Sequence, residues 1–221
     1  MPATPALDID SNALAHRLAR VRALTEALVA PLSDADATVQ SMEDASPAKW
    51  HLAHTTWFFE TFVLRDHLPG YRLFDDRFPF LFNSYYEAEG QRHARARRGM
   101  VTRPSLAEIL DYRRAVTAAM TEALPRLGEA ARALIDLGCH HEEQHQELLV
   151  TDILHLFAQN PIEPGIWPAP AKVPVGMPGP IGWIEHAGGI AEVGHDGSDF
   201  AFDAEGPRHA TLLGRHAIAD R

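Results

Sequence analysis

Cysteine is nearly absent from the sequence, and Cys139 is its single copy, so an internal disulfide framework is excluded. The N-terminal residues lack the charged and then apolar layout of a signal peptide. Long hydrophobic runs are also missing, because His, Arg, Asp or Pro interrupts each apolar stretch before the ~20 residues that a membrane-spanning helix needs. Together these absences predict a cytoplasmic chain that does not cross a membrane.

Basic residues are outnumbered by acidic ones. The 20 Lys and Arg residues stand against 30 Asp and Glu residues, and the formal net charge of -10 argues against a protein that coats nucleic acid or anionic lipid. Histidine, in contrast, is frequent, with 13 copies in 221 residues. Because imidazole binds metal ions and exchanges protons near neutral pH, the spacing of the histidines is the most informative feature.

Apolar periodicity predicts two helices in the first part of the chain. One begins at Asp10, a suitable N-cap, and carries apolar residues at intervals of three and four up to about Pro31. The other is capped by Ser46, has Pro47 in its first turn and ends before Pro69.

Two further helices are predicted after a long connection. Residues 71–103 show no sustained period, which predicts a crossover loop with short helical turns. Ser105 and Glu108 form an S-x-x-E capping box that opens the third helix, and the fourth runs from about Glu129 through Phe157. Four long helices with one long crossover predict a mainly α fold, a four-helix bundle.

The composition changes after residue 160. Residues 161–180 contain seven prolines and three glycines, which predicts an extended linker. Residues 181–221 alternate short apolar pairs with Gly and charged turns, which predicts strands and hairpins too few to close a core of their own. The expected organisation is a helical bundle at 1–160, a Pro-rich linker at 161–180 and a β-rich segment at 181–221.

The motif H-E-E-Q-H places His141 and His145 four residues apart on the fourth helix. Two such imidazoles lie about 40° apart around the helix axis and about 6 Å apart along it, close enough to bind one cation. His54 lies on the inward stripe of the second helix, where an unsatisfied buried imidazole costs free energy. We therefore predict a metal site formed by these three histidines. The alternatives are a solvated histidine face and, for His54, a core histidine bonded to a backbone carbonyl.

Three neutral imidazoles leave the charge of a divalent cation uncompensated and part of its coordination shell open, which is typical of a catalytic site. Zinc and nickel suit these ligands as well as ferrous iron does, so the metal stays open at this point. His51, three residues before His54, is interpreted as a neighbour of the ligands or a surface residue, and His140 is expected to be exposed.

H-E-E-Q-H also matches the H-E-x-x-H pattern of zinc proteases, in which Glu142 would be the general base. The longer continuation of that pattern is missing. His155 lies about 15 Å beyond His145 along the helix, too far to share the cation. A metalloprotease is therefore kept only as an alternative.

The crossover loop contains Tyr85, Tyr86, Arg92 and Arg95 in an otherwise acidic protein. A phenol beside an oxygen-binding metal can donate a proton or an electron, and a guanidinium group suits a carboxylate. These residues are candidates for substrate chemistry. The alternative is a solvated arginine loop with a structural tyrosine pair.

Four strings of the sequence resemble the nonheme iron sulfoxide synthases of ergothioneine and ovothiol biosynthesis and their selenoneine-forming relatives. They are S-P-A-K-W-H-L-A-H-T-T-W-F-F-E-T-F (46–62), L-F-N-S-Y-Y-E-A-E-G (81–90), R-R-G-M-V-T-R-P-S (97–105) and H-E-E-Q-H-Q-E (141–147). The resemblance implies a DinB-like four-helix bundle. Residues 190–209 resemble the opening of the family's second domain, a C-type-lectin-like fold similar to formylglycine-generating enzymes and sulfatase-modifying factors.

By this resemblance, His54, His141 and His145 match the ligands of an Fe(2+) cofactor. Gln144 matches a glutamine that contacts the imidazole side of the betaine substrate. Tyr85 and Tyr86 match an active-site tyrosine pair that supplies a proton during sulfoxidation.

Arg92 and Arg95 are, by the same resemblance, candidates for binding the carboxylate of the sulfur donor. The implied reaction is iron(II)- and oxygen-dependent C–S bond formation between N-α-trimethylhistidine and a cysteine-type thiol, with sulfoxidation. Sulfur or selenium, and free cysteine or γ-glutamylcysteine, stay open as donors. The family continues for about another domain, so residues 181–221 are expected to be an incomplete domain and turnover is expected to be poor. The alternative function is a DinB-like metal-binding, thiol-handling module without oxygenase activity.

Overall fold

The computed structural model describes residues 11–168 and 179–221, which fall into two compact units divided after residue 169. Each unit is described by itself. Asp10, the expected cap of the first helix, and residues 169–178 of the expected linker lie outside the described residues. In the parts that are described, no helix combines the length and the apolar character needed to span a bilayer.

The first unit is helical. Its α-helices are α1 (Ser11–Val29), α2 (Asp34–Thr38), α3 (Ala48–Phe59), α4 (Phe78–Phe82), α5 (Leu106–Ala123) and α6 (Glu129–Ala158). A π-helical turn, Glu60–Arg65, continues α3, and 3-10 turns cover Glu87–Glu89, Arg95–Met100 and Leu124–Arg126. The four predicted long helices are present as α1, α3, α5 and α6, and the crossover contains short helical turns as expected.

Helix boundaries follow from local capping. Ser105 and Glu108 form the predicted capping box of α5, with each side chain accepting from the other residue's backbone N–H. The predicted cap of α3 was one residue early, because the N-cap is Pro47 and Ser46 instead bonds to residues of other segments. Helix α2, capped by Ser33, was not predicted, since five residues are too few to show a period.

Helix α3 is the centre of the bundle. It packs against α5 on one side and α6 on the other, while α1 lies along α6. All 12 of its residues are buried, and Leu52 and Trp57 are fully inaccessible. A helix that is buried on every side has no solvent face, and this explains why its sequence shows little amphipathic contrast.

Glycine 138 sets the close approach of α6 to α3. A Cβ atom added to Gly138 would lie within 3.0 Å of ring carbons of Phe59. Glycine at this position therefore allows the backbone of α6 to touch the aromatic side of α3, one turn before His141.

The described part of the second unit, residues 179–221, contains four strands, as the pattern of residues 181–221 predicted. They are β1 (Trp183–His186), β2 (Gly189–Val193), β3 (His209–Leu213) and β4 (His216–Ala219). β1 pairs antiparallel with β4, and β2 pairs antiparallel with β3. None of these strand residues is buried. The strands therefore form two ribbons without a core between them, in agreement with the expectation from length.

Candidate metal centre

Three histidines meet in the interior of the helical unit. His54 comes from α3, and His141 and His145 come from consecutive turns of α6. One nitrogen from each ring lies within 4.8 Å of the other two. Buried imidazoles this close together could hold a metal ion, since tetrahedral and higher coordination shells place nitrogen ligands at about 2.0–2.1 Å from zinc. The structure thus brings together the three residues that the sequence selected.

The orientation of His54 is fixed by the backbone. Its Nδ1 atom lies 2.6 Å from the carbonyl oxygen of Phe82. A carbonyl can only accept, so Nδ1 carries the proton and Nε2 keeps a free lone pair. The ring is also stacked between Trp50 and Trp57, with centroid separations of 4.6 and 5.6 Å. The bond to a backbone carbonyl, proposed above as an alternative to metal binding, uses one nitrogen and leaves the other available.

His145 is held by another histidine. Its Nδ1 atom lies 2.9 Å from Nδ1 of His51, and Nε2 of His51 lies 3.0 Å from Oδ2 of Asp152. His51 is buried, so the interpretation of this residue as a surface histidine is wrong, and it is a neighbour of the candidate ligands. The nitrogen Nδ1 of His141 is buried without a hydrogen-bond partner among the described residues.

Burial keeps these rings neutral. It lowers the pKa of His141 to about 4, although the charge of Glu142 acts in the opposite direction. Burial and then the nearby His141 lower the pKa of His54 well below its ordinary value. Burial, followed by the neighbouring histidines, also lowers the pKa of His145. Neutral imidazole is the form that binds metal ions.

The histidines line a cavity of about 440 Å³, a volume in the range of small-molecule sites. Its wall combines aromatic, hydroxyl and cationic side chains with one carboxylate. The lining residues are Ser46, Trp50, His51, His54, Ser84, Tyr85, Tyr86, Arg95, Arg98, His141, Gln144, His145, Leu148 and Asp152. Gln144, Tyr85, Tyr86 and Arg95 from the candidate set are therefore part of this wall.

The tyrosine pair has two environments. Tyr85 is 69% exposed, and its hydroxyl oxygen accepts a hydrogen bond of 2.7 Å from Arg95. Tyr86 packs against Trp57 and neighbouring rings, and the buried Asn83 bonds to both its backbone N–H and its carbonyl. Burial raises the pKa of Tyr86, so its hydroxyl stays protonated near neutral pH. Tyr86 therefore presents a protonated hydroxyl in the cavity wall.

Of the two candidate arginines, only Arg95 lines the cavity. Arg92 is exposed and is not among the lining residues, so the structure separates this pair. The cavity instead includes Arg98, which the sequence reasoning missed. The R-R-G string contains it, but nothing in a loop without period tells which arginine faces inward.

Arg98 is buried with its guanidinium carbon 3.3 Å from the centre of the Trp50 ring. It donates hydrogen bonds to the hydroxyl oxygens of Ser46 (2.8 Å) and Ser84 (3.2 Å). Burial and then repulsion by Arg95 lower its pKa to about 9. At neutral pH it is a fixed positive charge beside the histidines, where it favours anionic groups in the cavity.

Glu142 points away from this cavity. Its carboxylate is fully buried and forms ion pairs with Arg22 (3.0 Å) and Arg113, and it accepts a 2.6 Å hydrogen bond from Thr25. A carboxylate held by two guanidinium groups is not free to take a proton from water. This arrangement opposes the metalloprotease alternative, which assigned that role to Glu142.

The remaining histidines of α6 lie outside the cluster. His155 bonds to Ser41 at 2.7 Å, which agrees with its expected distance from the cation. His140 is half-buried beside Asp136 and Glu143 and not exposed as expected. Packing of α1 along α6 covers this face of the helix.

Comparison with known proteins supports the helical assignment. The comparison with curated proteins found no match for this chain. Residues 17–159, about two thirds of the chain and including all three clustered histidines, match the DinB superfamily. We conclude that this chain belongs to the DinB superfamily.

Proposed function

We propose that this protein is an iron(II)- and oxygen-dependent oxidoreductase that joins a cysteine-type thiol to N-α-trimethylhistidine and oxidises the sulfur to a sulfoxide. The observation that carries the proposal is the meeting of His54, His141 and His145 at one cavity wall that also holds a tyrosine pair. The type of reaction is taken from the resemblance of four sequence strings to nonheme iron sulfoxide synthases. Membership of the DinB superfamily is compatible with a metal-dependent enzyme.

The residues present fit ferrous iron. Two of the rings have Nδ1 engaged in a hydrogen bond, which leaves Nε2 for a metal ion. Three neutral ligands leave open positions, and bound ferrous iron would supply redox chemistry and a common binding point for thiol and dioxygen. The same donor set accepts zinc, so metal analysis is part of the test.

The protein's own side chains are assigned to the substrates. We assign Gln144 to the imidazole side of trimethylhistidine and Arg95 to the carboxylate of the sulfur donor, with Arg98 adding positive charge to the same wall. Tyr86 is placed as a proton donor and Tyr85, which bonds to Arg95, as its partner in the pair. Holding two substrates beside one another lowers the entropic part of the barrier.

The organisation of the chain is a part of this proposal. Residues 161–180 would be the linker, and residues 181–221 would belong to the lectin-like domain. The substrates are small molecules, and no nucleic acid or membrane takes part.

The test is an anaerobic titration with ferrous iron, followed by addition of cysteine or γ-glutamylcysteine and then of nitric oxide or oxygen. We expect one iron per chain, a charge-transfer band on thiol addition and, with trimethylhistidine and oxygen, a sulfoxide product detected by mass spectrometry. His140→Ala removes a histidine outside the cavity and is the control variant. It should bind iron and respond to the thiol as the unsubstituted protein does. Iron binding without any thiol band or product would contradict the proposal.

A second candidate function is a DinB-like metal-binding module that handles thiols without oxygen chemistry. The family match favours it, because that match covers the helical unit alone. Preferential zinc binding with no response to oxygen would support this second function. A selenoneine-forming activity would instead show as turnover with a selenol donor.

A further inference from the structure

A chain of buried contacts runs from a carboxylate to one of the candidate ligands. Oδ2 of Asp152 lies 3.0 Å from Nε2 of His51, and Nδ1 of His51 lies 2.9 Å from Nδ1 of His145. The His51 side chain is 3% exposed and the Asp152 side chain is 15% exposed. Water therefore has little access to either hydrogen bond.

The chemistry of the groups fixes the direction of these bonds. A carboxylate only accepts, so Nε2 of His51 donates its proton to Asp152. A neutral imidazole has one N–H, which leaves Nδ1 of His51 as an acceptor for the Nδ1–H of His145. The remaining nitrogen of His145, Nε2, then has a free lone pair. In this tautomer the ring offers Nε2 to a metal ion.

Asp152 is itself anchored independently of the histidines. Its Oδ2 atom accepts a 2.8 Å hydrogen bond from the backbone N–H of Ser46, whose hydroxyl accepts one from Arg98. Asp152 is on α6, two turns beyond His145, and within the described residues it is the only carboxylate that lines the cavity. The start of α3 and the second half of α6 are thus joined through this carboxylate.

We propose that Asp152 and His51 are positioning residues that fix the tautomer and orientation of His145 and thereby increase the affinity of the three-histidine centre for a divalent cation. The inference rests on the proposed metal centre and adds a role for two residues that were not assigned to it. A partner on the second ring nitrogen also increases the basicity of the ligating nitrogen.

The other two ligands do not depend on a side chain in this way. Nδ1 of His54 is held by a backbone carbonyl, and Nδ1 of His141 has no partner among the described residues. His145 is therefore the ligand whose support can be removed by a single substitution.

The test measures the affinity for Co(II) and Zn(II) by competition with a chromophoric chelator, without any assay of turnover. We expect His51→Ala and Asp152→Ala to weaken binding about 10- to 100-fold, the range found when hydrogen-bond partners of metal ligands are removed. His51→Gln should keep affinity within a few-fold, because its amide can accept from His145 and donate to Asp152. His155→Ala, on the same helix but bonded to Ser41, is the control and should not change affinity.

Several results would overturn the inference. One is unchanged affinity in both His51→Ala and Asp152→Ala, and another is equal loss in His51→Gln and His51→Ala when circular dichroism shows both are folded. A third is the loss of one bound imidazole from the Co(II) spectrum of His51→Ala, which would make His51 a ligand. Cation binding by the unsubstituted protein without sulfoxide formation would contradict the proposed function and leave this inference standing.

Discussion

The carbonyl oxygen of Phe82 accepts a 2.6 Å hydrogen bond from Nδ1 of His54. Phe82 is the last residue of α4, in the crossover that follows the π-helical turn. The crossover therefore both holds this histidine and supplies the tyrosine pair of the cavity wall. A change in the crossover would act on the candidate ligand and on the two tyrosines of the cavity wall together.

We expect His54→Ala to abolish stoichiometric binding of a divalent cation. One of three ligands is lost, and α3 offers no other donor at that place, since His51 is engaged with His145 and Asp152. Metal analysis after dialysis gives the measurement, and His140→Ala should retain one ion per chain. Full retention of the ion by His54→Ala would show that the three histidines do not act as one site.

Glu142→Gln should lower the free energy of unfolding by about 3–5 kcal/mol, because it leaves two buried guanidinium groups, Arg22 and Arg113, without their shared carboxylate. Urea unfolding followed by circular dichroism measures this. Glu147→Gln, at an exposed position of the same helix, should change stability by less than about 0.5 kcal/mol. Equal stability of the two variants would show that the buried ion pairs are not structural.

Gly138→Ala should lower the free energy of unfolding by about 1–3 kcal/mol through overpacking against Phe59. Gly165→Ala is the comparison, since a Cβ there meets nothing within 4 Å. Chemical unfolding of both variants measures the difference in their free energies of unfolding. A stability gain in Gly138→Ala would mean that the α3 and α6 backbones separate at little cost.

Stability should fall as the pH increases above about 10, the ordinary pKa of tyrosine. Burial, and for Tyr71 and Tyr112 the bonded carboxylate of Glu60, raises the pKa of Tyr71, Tyr86 and Tyr112. The unfolded chain then releases protons that the folded protein retains, so the contribution is present below pH 10 and is lost above it.

Ultraviolet absorbance of tyrosinate measures this directly. At about pH 10 at least three of the four tyrosines should remain protonated in the folded protein, whereas unfolding in urea should restore ordinary titration. Tyr71→Phe should reduce the alkaline loss of stability. Simultaneous ionisation of all four tyrosines in the folded protein would contradict the burial of Tyr112 and the hydrogen bonds of Tyr71 and Tyr112 to Glu60.

Periodic segments and capping signals were sufficient to predict the long helices. α6 was expected from Glu129 through Phe157 and ends at Ala158, because its apolar spacing is regular and Pro161 follows. The capping box at Ser105 was found for a similar reason, since it is a local interaction between neighbouring residues. The three clustered histidines could be selected because two of them share one helix face.

Features that depend on packing between distant segments could not be read in this way. His51 and His54 lie three residues apart on α3. Both are buried only because other helices cover α3 on all sides, and the local sequence does not show this. Arg98, and not Arg92, lines the cavity because the loop places the Arg98 guanidinium over the Trp50 ring. The ion pairs of Glu142 join three helices, and no local pattern contains them.

The complete enclosure of α3 restricts how this site can be redesigned. All of its residues are buried, so a larger or smaller side chain near His54 would disturb the packing of the helix that carries the ligand. The open part of the cavity wall is different, since Gln144, Leu148 and Tyr85 are exposed. Substitutions that reshape the cavity would therefore disturb the fold least at the exposed positions of α6 and of the crossover.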